Sequence, residues 1–206
     1  MLKRIFIFGI DGNMGRRYRA ILKNHLCIDC DGYDTSTGGG IPDLKKYDGF
    51  VVATPTSTHL PMLKTLFGYQ KPILVEKPLT TDLRLLDSFE SEFRTDLSMV
   101  QMVNQYAYLQ NEDSYGPTSY DYFKTGGDGL YWDCLNIIGL AKERVEIDNR
   151  SAVWNCTING YKLSIENMDR AYIAMIRRWT SEPQTNWAYA AEAHLKTARL
   201  MTKCLR

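Results

Sequence analysis

Residues 48–79 read DGFVVATPTSTHLPMLKTLFGYQKPILVEKPL, and this stretch decides the fold. The apolar run at 50–53 predicts a buried strand, and a second apolar run at 72–75 predicts another. Between them, leucine and phenylalanine recur at helical spacing up to Gly68, where a helix would stop. Two strands joined by a helix within roughly 30 residues predict a right-handed unit of a parallel sheet.

Polar residues follow both of these predicted strands directly. Residues 54–59 read TPTSTH, and residues 76–78 read Glu-Lys-Pro. In parallel α/β sheets, ligands bind beyond the carboxyl ends of the strands, where the chain turns towards the next helix. We therefore expect both polar segments to lie at a functional site.

The composition is that of an ordinary soluble globular protein. The 206 residues are 44% apolar and 24% charged. Their net charge of +1 gives no electrostatic reason to expect nucleic acid or an anionic membrane as a partner. No apolar run approaches the roughly 18 residues that span a bilayer. The short apolar run that follows Arg4 soon meets Asp11, so we expect no signal peptide.

The cysteines favour a reduced, cytoplasmic protein. Their number, 5, is odd, which argues against a disulfide framework. Cys27 and Cys30 form a C-x-x-C pair, but no second pair completes a zinc site. We therefore expect these two residues to pack in or beside a strand, and we expect no metal site.

A glycine-rich turn follows the first predicted strand, which covers residues 5–8. Gly9, Gly12 and Gly15 are spaced G-x-x-G-x-x-G, and a helical pattern begins within the turn. Glycines let the backbone approach a pyrophosphate, and the free N–H groups at the helix start attract the anion. Strand, glycines and helix in this order predict a dinucleotide site that includes Asn13 and Met14. A glycine turn without a ligand is the alternative.

An acidic residue stands where the adenosine ribose would bind. The second strand is predicted at 26–33, and Asp34 lies 19 positions after position 15. This is near the spacing of the acid that binds ribose hydroxyls. Thr35 follows it and no arginine is near, so NAD is slightly favoured over NADP. Asp29 and Asp31 are rival candidates if the strand register differs.

The chain divides into two predicted domains. A helix at 79–93 and a strand at 98–103 complete an α/β, Rossmann-type domain over residues 1–103. Residues 104–206 are richer in tyrosine and predict a small α+β domain with a short, mainly antiparallel sheet. The elements predicted there are a strand at 119–123, a helix at 130–140, a hairpin at 151–165 turning at Asn159-Gly160, and helices at 169–179 and 187–205.

These motifs make the chain resemble the Gfo/Idh/MocA oxidoreductases, the glucose–fructose oxidoreductase and inositol dehydrogenase group. The matching segments are GIDGNMG at 9–15, ATPTSTH at 53–59, VEKPL at 75–79 and, more loosely, GGDGLYWDCLN at 126–136. The resemblance implies that the first domain binds NAD or NADP. It also implies that the second domain covers a polyol or sugar-like substrate, although here that domain is shorter than is common in the family.

The resemblance also implies roles for single residues. Lys77 would lie beside the nicotinamide and the reacting carbon, and Pro78 would follow a cis peptide bond. Asp133 matches an aspartate that contacts substrate in the family. The residues implied to line the dinucleotide are Thr54, Pro55, His59 and Glu76.

One departure from the family concerns a histidine that commonly acts as acid and base. Its position is taken here by Asn136, or by Ile137 in a different alignment, and asparagine cannot relay a proton. Lys77 could then serve alone, or with help from Tyr106 or Tyr131. Of the other histidines, we expect His59 in a loop near the cofactor and His194 on the solvent side of a helix.

Two functions follow from these observations. The first is an NAD(P)-dependent oxidoreductase that transfers a hydride between nicotinamide and a sugar-, cyclitol- or nucleotide-sugar-like alcohol or ketone, with Lys77, Asp133 and Asn136 as catalytic residues. The second is a catalytically reduced dinucleotide-binding or regulatory protein of the same fold. The tryptophans at 154, 179 and 187 suggest an apolar face and hence a homo-oligomer.

Overall fold

The computed structural model describes residues 1–36, 38, 40–109, 117–121, 129–148 and 155–204. The chain forms two units. The first contains Met1–Val103 and Met175–Trp187, and the second contains Asn104–Ala174 and Ala188–Arg206. Four features expected from the sequence lie wholly or partly outside the described residues: the first half of the hairpin strand at 151–158, the loop at 125–129, the end of the strand at 119–123, and Trp154.

The first unit is built on a five-stranded sheet in which every pairing is parallel. The strand order is β2-β1-β3-β4-β5, so the prediction of a Rossmann-type α/β domain is confirmed. The strands are β1 (Arg4–Phe8), β2 (Asp29–Tyr33), β3 (Gly49–Val52), β4 (Ile73–Val75) and β5 (Val100–Met102). The helices are α1 (Asn13–Ala20, continued by a π-helical turn at Ile21–His25), α2 (His59–Leu66) and α3 (Leu83–Glu92).

Strands β3 and β4 are buried along their whole length, as their continuous apolar sequences predict. A parallel strand with helices on both faces has no solvent side, which explains the absence of polar alternation. After its last α-helical residue, Leu66, helix α2 continues for one more turn as a 3-10 helix at Phe67–Tyr69. The left-handed residue that ends it is Gln70, with φ of 52°, and not Gly68. The Gln70 side chain donates a hydrogen bond to the Phe67 carbonyl over 3.0 Å.

The second unit carries a four-stranded sheet in the order β7-β6-β8-β9. Two of its pairings are antiparallel, which confirms the predicted mainly antiparallel sheet. The third pairing, β6 with β7, is parallel, and β7 was not predicted. The strands are β6 (Thr118–Asp121), β7 (Val145–Asp148), β8 (Asn155–Ile158) and β9 (Tyr161–Leu163), and the helices are α4 (Gly129–Asp133), α5 (Leu135–Leu140), α6 (Ile165–Ser181) and α7 (Trp187–Cys204).

The hairpin between β8 and β9 turns at Asn159 and Gly160, as predicted. Both residues have positive φ, 49° and 78°, which the tight turn between twisted strands requires. Asn159 is fully buried. Its amide donates to the Leu140 carbonyl over 3.0 Å and accepts from the Lys142 N–H over 2.8 Å. The turn therefore also fixes the end of α5.

The helix predicted at 130–140 is two helices, because the chain turns at Cys134. Asp133 is the last residue of α4, whereas Asn136 is the second residue of α5. Asp133 is partly exposed, whereas Asn136 is 1% exposed. Cys134 is fully buried in the core of this unit, so the break is an internal feature and not a frayed end.

Residues 175–187 return to the first unit and cover the edge strand β5. Asn186 accepts from the Met102 N–H over 2.7 Å and donates to the Met102 carbonyl over 2.8 Å. An edge strand otherwise presents unpaired backbone groups. Trp187 stacks on Phe89 with ring centroids 6.0 Å apart, and Trp179 is 1% exposed. These two tryptophans are thus buried within the chain and do not supply the apolar face from which a homo-oligomer was expected.

His194 lies inside the second unit and not on the solvent side of α7, so that prediction was wrong. The side chain is fully buried, and its Nδ1 lies 2.6 Å from the Ala190 carbonyl oxygen. The Trp132 ring is 5.8 Å away, centroid to centroid. Burial lowers the pKa of His194 to about 4, against the opposite effect of the hydrogen bond to Ala190.

We predict that His194 makes the stability pH-dependent on the acid side. Because its pKa is about 4 when folded and near 6.5 when unfolded, the unfolded chain binds the extra proton between these values. The free energy of unfolding then falls as pH drops below about 6.5. Between pH 8 and pH 5 the wild type should lose about 2 kcal/mol more than His194→Gln in urea titrations.

The matched control is His25→Gln, which changes an exposed histidine of the first unit. It should retain the acid-side loss of the wild type, because it leaves His194 and its surroundings unchanged. Equal losses in His194→Gln and the wild type would contradict the prediction.

Candidate active site

The parallel sheet brings the predicted polar segments to one edge. Each segment follows the last residue of a strand: Gly9 follows β1, Asp34 follows β2, Ala53 follows β3 and Glu76 follows β4. All four strands run in the same direction, so their carboxyl ends lie at the same edge of the sheet. The structure therefore assembles there the first-unit residues that the sequence singled out.

Two glycines of the turn are fixed by close packing. Gly9 has φ of 78°, and a Cβ built on it would lie 2.5 Å from the Ala53 carbonyl oxygen. A Cβ on Gly15 would overlap the Gly9 carbonyl oxygen. These glycines therefore let the start of α1 pack against the end of β1 and the chain after β3, as a dinucleotide turn requires.

The start of α1 is arranged to receive an anion. Its cap residue, Gly12, has no side chain to bond the first N–H groups, and the first turn contains no acidic residue. Asn13 is exposed, and Met14 and Gly12 are partly exposed. Backbone N–H groups at a helix start carry a partial positive charge that attracts phosphate. The turn therefore fits the pyrophosphate of a dinucleotide.

Asp34 lies beside this turn and is ionised over the neutral pH range. Its Oδ2 accepts from the Asp11 N–H over 3.3 Å, and its Oδ1 accepts from the Ser36 N–H and hydroxyl over 3.0 and 2.7 Å. These bonds, those from Ser36 first, lower the pKa of Asp34. Thr35, the next predicted residue, is exposed.

The rival aspartates lie elsewhere along β2. Asp29 is its first residue, at the opposite end from the glycine turn. Asp31 lies in mid-strand, where it accepts from the Arg4 guanidinium over 2.9 Å and from the Tyr47 hydroxyl over 2.8 Å. Of the three aspartates, only Asp34 thus lies at the carboxyl end of β2, at the same edge of the sheet as the glycine turn.

The segment after β3 is ordered by its own hydrogen bonds. The Thr58 hydroxyl lies 2.7 Å from both the Thr54 hydroxyl and the Pro55 carbonyl oxygen. His59, the first residue of α2, is 1% exposed. Its ring nitrogens lie 2.7 Å from the carbonyl oxygens of Thr54 and Pro78. It is therefore a buried link between two segments and not an open loop residue.

The segment after β4 holds a lysine on an anchored backbone. The Lys77-Pro78 peptide bond is cis, as expected. Glu76 is 8% exposed, and its Oε1 accepts a hydrogen bond from the Tyr18 hydroxyl of α1. Its Oε2 accepts from the Lys77 N–H over 3.1 Å. Lys77 itself is partly exposed.

Tyr18 is a site residue that sequence reasoning missed, because it was assigned only to the helical pattern of α1. It is fully buried, and a buried tyrosine hydroxyl generally needs a partner. The sequence offered one signal: a tyrosine on the apolar face of the helix that follows the glycine turn. Its bond to Glu76 ties the phosphate-binding helix to the lysine segment.

The second unit contains the remaining predicted residues. Asp133 is partly exposed at the end of α4. Asn136 is 1% exposed, and its backbone carbonyl and side-chain oxygen lie 3.1 and 3.4 Å from the Tyr189 hydroxyl. Burial raises the pKa of Tyr189 well above its ordinary value, so this hydroxyl is a donor. Within the described residues, no group of histidine, cysteine and acidic side chains is placed to hold a metal.

Comparison with known proteins agrees with this geometry. Residues 39–102, less than half of the chain, match the Gfo/Idh/MocA family model, described as an oxidoreductase family with an NAD-binding Rossmann fold. Comparison with the curated proteins gave no match. Within the described residues, no helix is both long and apolar enough to cross a membrane.

Solved structures match over nearly the whole chain. Myo-inositol dehydrogenase from Corynebacterium glutamicum is 11% identical with a TM-score of 0.72, covering 98% of this chain and 96% of its own. The Lactobacillus casei myo-inositol dehydrogenase, in complex with NAD(H) and myo-inositol, is 12% identical with a TM-score of 0.69, covering 98% and 95%. The WlbA dehydrogenase from Thermus thermophilus, in complex with NAD and UDP-GlcNAcA, is 14% identical with a TM-score of 0.61, covering 96% and 94%.

At such low identities, these structures establish the fold. Together with the family match, they confirm the resemblance to the Gfo/Idh/MocA oxidoreductases. They also confirm the expectation of a nicotinamide dinucleotide, since the matched segment is the NAD-binding part of the family and contains 54–59 and 76–78.

We predict that Tyr18 and Glu76 stabilise the first unit as a coupled pair. Tyr18→Phe removes the donor and leaves a buried carboxylate oxygen without it, which should cost about 1–3 kcal/mol of unfolding free energy. In a double-mutant cycle with Glu76→Gln, measured by urea titration, the coupling energy should be about 1 kcal/mol or more.

The control is Tyr161→Phe, which removes a hydroxyl from a ring that is 38% exposed in the second unit. Its effect should stay within about 0.5 kcal/mol. Strict additivity of Tyr18→Phe and Glu76→Gln would contradict the predicted coupling, since it would show that the negative charge of Glu76 does not strengthen this hydrogen bond.

Proposed function

We propose that this chain, whose first unit matches the Gfo/Idh/MocA oxidoreductases, is an NAD(P)-dependent dehydrogenase or reductase acting on CH–OH groups. Its substrate is a sugar-, cyclitol- or nucleotide-sugar-like alcohol or ketone. The observation that carries the proposal is the Glu76-Lys77-Pro78 segment after β4, at the same sheet edge as the glycine turn and Asp34. The amine of a lysine at this position can transfer a proton, and its use is not limited to binding phosphate.

The first unit would bind the dinucleotide along this edge. The N–H groups at the start of α1 would hold the pyrophosphate, and Asp34 and Thr35 would bind the adenosine ribose. Thr54, Pro55, His59 and Glu76 would line the rest of the site. When bound, the nicotinamide ring supplies the hydride acceptor or donor. The residues of the chain then have to orient the substrate, exclude water and move one proton.

Lys77 is the proposed proton-transfer group. In the oxidation direction, a substrate hydroxyl loses its proton to the Lys77 amine as the hydride leaves the same carbon, and the reverse holds for reduction. Glu76 holds the backbone from which Lys77 projects, because it accepts both the Lys77 N–H and the Tyr18 hydroxyl. A fixed backbone reduces the conformational freedom that the lysine must lose to reach the substrate.

Asp133 of the second unit is proposed to orient substrate hydroxyls, and Asn136 is proposed to act through its contacts within that unit. Asp133 is the better supported of the two, since it is partly exposed and carries two acceptor oxygens. Asn136 is 1% exposed and already lies against the Tyr189 hydroxyl, so its role would be to hold α5 in place. Support for the substrate class comes from the solved complexes with myo-inositol and with UDP-GlcNAcA.

A catalytically reduced dinucleotide-binding protein is the second candidate function. The observation in its favour is the buried Asn136 at the place implied for a histidine that moves protons. His194, the histidine of the second unit, is also buried, and its lowered pKa keeps it neutral at pH 7. The intact lysine segment favours the first candidate.

Lys77→Ala distinguishes the two candidates. Calorimetry with NAD⁺ and NADH should show binding by the wild type, and a screen of polyols and sugars by nicotinamide absorbance should identify a substrate. We predict that Lys77→Ala then lowers kcat about 100- to 10,000-fold, the range for loss of a general acid–base group, with cofactor affinity changed less than about threefold.

Lys64→Ala is the matched control, since Lys64 is an exposed lysine of α2 paired with Glu92 over 2.8 Å. It should turn over substrate at the wild-type rate. Unchanged turnover in Lys77→Ala would refute the lysine mechanism, and cofactor binding without any turnover would favour the second candidate.

Asp34→Ser should weaken the preference for NAD over NADP. The ionised Asp34 carboxylate repels the extra 2′-phosphate of NADP, and serine removes this charge while supplying a short hydroxyl that can bond the ribose. The ratio of the two dissociation constants, from calorimetry, should move about tenfold or more towards NADP. Asp29→Ser, which changes the acid at the far end of β2, should leave the ratio unchanged, and an equal shift in both variants would contradict the assignment.

A further inference from the structure

His59 connects the two polar segments at the sheet edge through its two ring nitrogens. Nδ1 lies 2.7 Å from the Pro78 carbonyl oxygen, and Nε2 lies 2.7 Å from the Thr54 carbonyl oxygen. Both are distances of good hydrogen bonds. The ring is 1% exposed, so water does not compete effectively for either nitrogen.

The two bonds lie beyond the point where the sheet itself joins the segments. The β3–β4 pairing ends at Val52 and Val75, followed by one further bond from the Glu76 N–H to the Val52 carbonyl over 2.9 Å. From there the backbones continue into Thr54 on one side and Pro78 on the other. The imidazole therefore fixes the spacing of the segments where the sheet no longer does.

The ring is suited to this task by its shape and chemistry. A backbone carbonyl only accepts hydrogen bonds, so each contact is a hydrogen bond when the ring nitrogen that faces the carbonyl carries hydrogen. His59 is the first residue of α2, and its neighbours Leu60 and Leu63 are buried on the same helix. The ring therefore projects from a rigid element and has little freedom to follow one segment away from the other.

We propose that His59 is a positioning residue that sets the spacing between the cofactor segment at 54–58 and the lysine segment at 76–79. It acts on Lys77 through the carbonyl of the following residue, Pro78, and does not itself contact substrate. This inference rests on the proposed function for its catalytic meaning. The link between the two segments can be measured without cofactor or substrate.

The test compares two substitutions of His59 with a matched control. His59→Phe keeps a planar ring and removes both ring nitrogens, whereas His59→Gln keeps an amide that can donate. His25→Phe makes the same chemical change at an exposed histidine of the first unit. Hydrogen exchange of the cofactor-free proteins, followed by mass spectrometry, measures how firmly the backbone of the two segments is held. Fluorescence titration measures the affinity for NADH.

If the proposal is right, His59→Phe raises amide exchange about tenfold in peptides covering 54–58 and 76–80, while peptides from β1 and β3 exchange as in the wild type. NADH binding weakens about tenfold. His59→Gln recovers part of both effects, because it restores a donor, and His25→Phe matches the wild type in both measurements. Thermal unfolding without cofactor should confirm that each variant is folded.

Two results would overturn the proposal. The first is wild-type exchange at 54–58 and 76–80 in folded His59→Phe. The second is a uniform rise across the first unit, which would mean that His59 only stabilises the core. If His59→Phe does not fold, His59→Gln decides between a local rise and a uniform rise. Failure of the wild type to bind NADH would refute the proposed function, and the exchange result would still decide whether His59 joins the segments.

Discussion

The parallel pairing of β1 with β3 and of β3 with β4 is the constraint on which the rest of the structure depends. It runs the strands in one direction and so places three chain segments at the same edge of the sheet. Neighbouring segments therefore lie close enough for direct contacts. Gly9 packs on the Ala53 carbonyl, Asp34 accepts the Asp11 N–H, and Glu76 accepts the Tyr18 hydroxyl. The backbone topology alone therefore brings the segments of the candidate site to one edge of the sheet.

Much of this could be predicted because the decisive signals are local. Continuous apolar runs with Gly, Pro or acidic residues at their ends mark β1, β3 and β4, and these strands were predicted within a few residues of their observed bounds. The Asn159-Gly160 turn was readable for the same reason, since both positions require positive φ. Asp34 could be singled out because its distance along the chain from the glycine turn reflects the length of one helix and one strand.

The features that could not be predicted depend on contacts between distant parts of the chain. Asn186 bonds the backbone of Met102, 84 residues earlier, and nothing in its local sequence indicates that. His194 follows a helical pattern that fits either burial or exposure, and only packing against Trp132 decides it. The break at Cys134 separates two segments of good helical sequence. In each case contacts that form on folding, and not the local sequence pattern, decide the structure.

Catalysis in such a fold depends on how firmly the segment that carries Lys77 is held. A lysine has a long, flexible side chain, so its reach becomes useful only if the backbone beneath it is fixed. Here the segment is held on both sides: Glu76 bonds Tyr18 of α1, and the Pro78 carbonyl bonds His59 of α2. Bonds to two helices thus hold the residue on either side of Lys77, the residue proposed to transfer the proton. In the proposed mechanism, a chain with asparagine at the place implied for the histidine depends more heavily on Lys77. Accurate placement of this single group is then the requirement that the buried bonds of Tyr18 and His59 would meet.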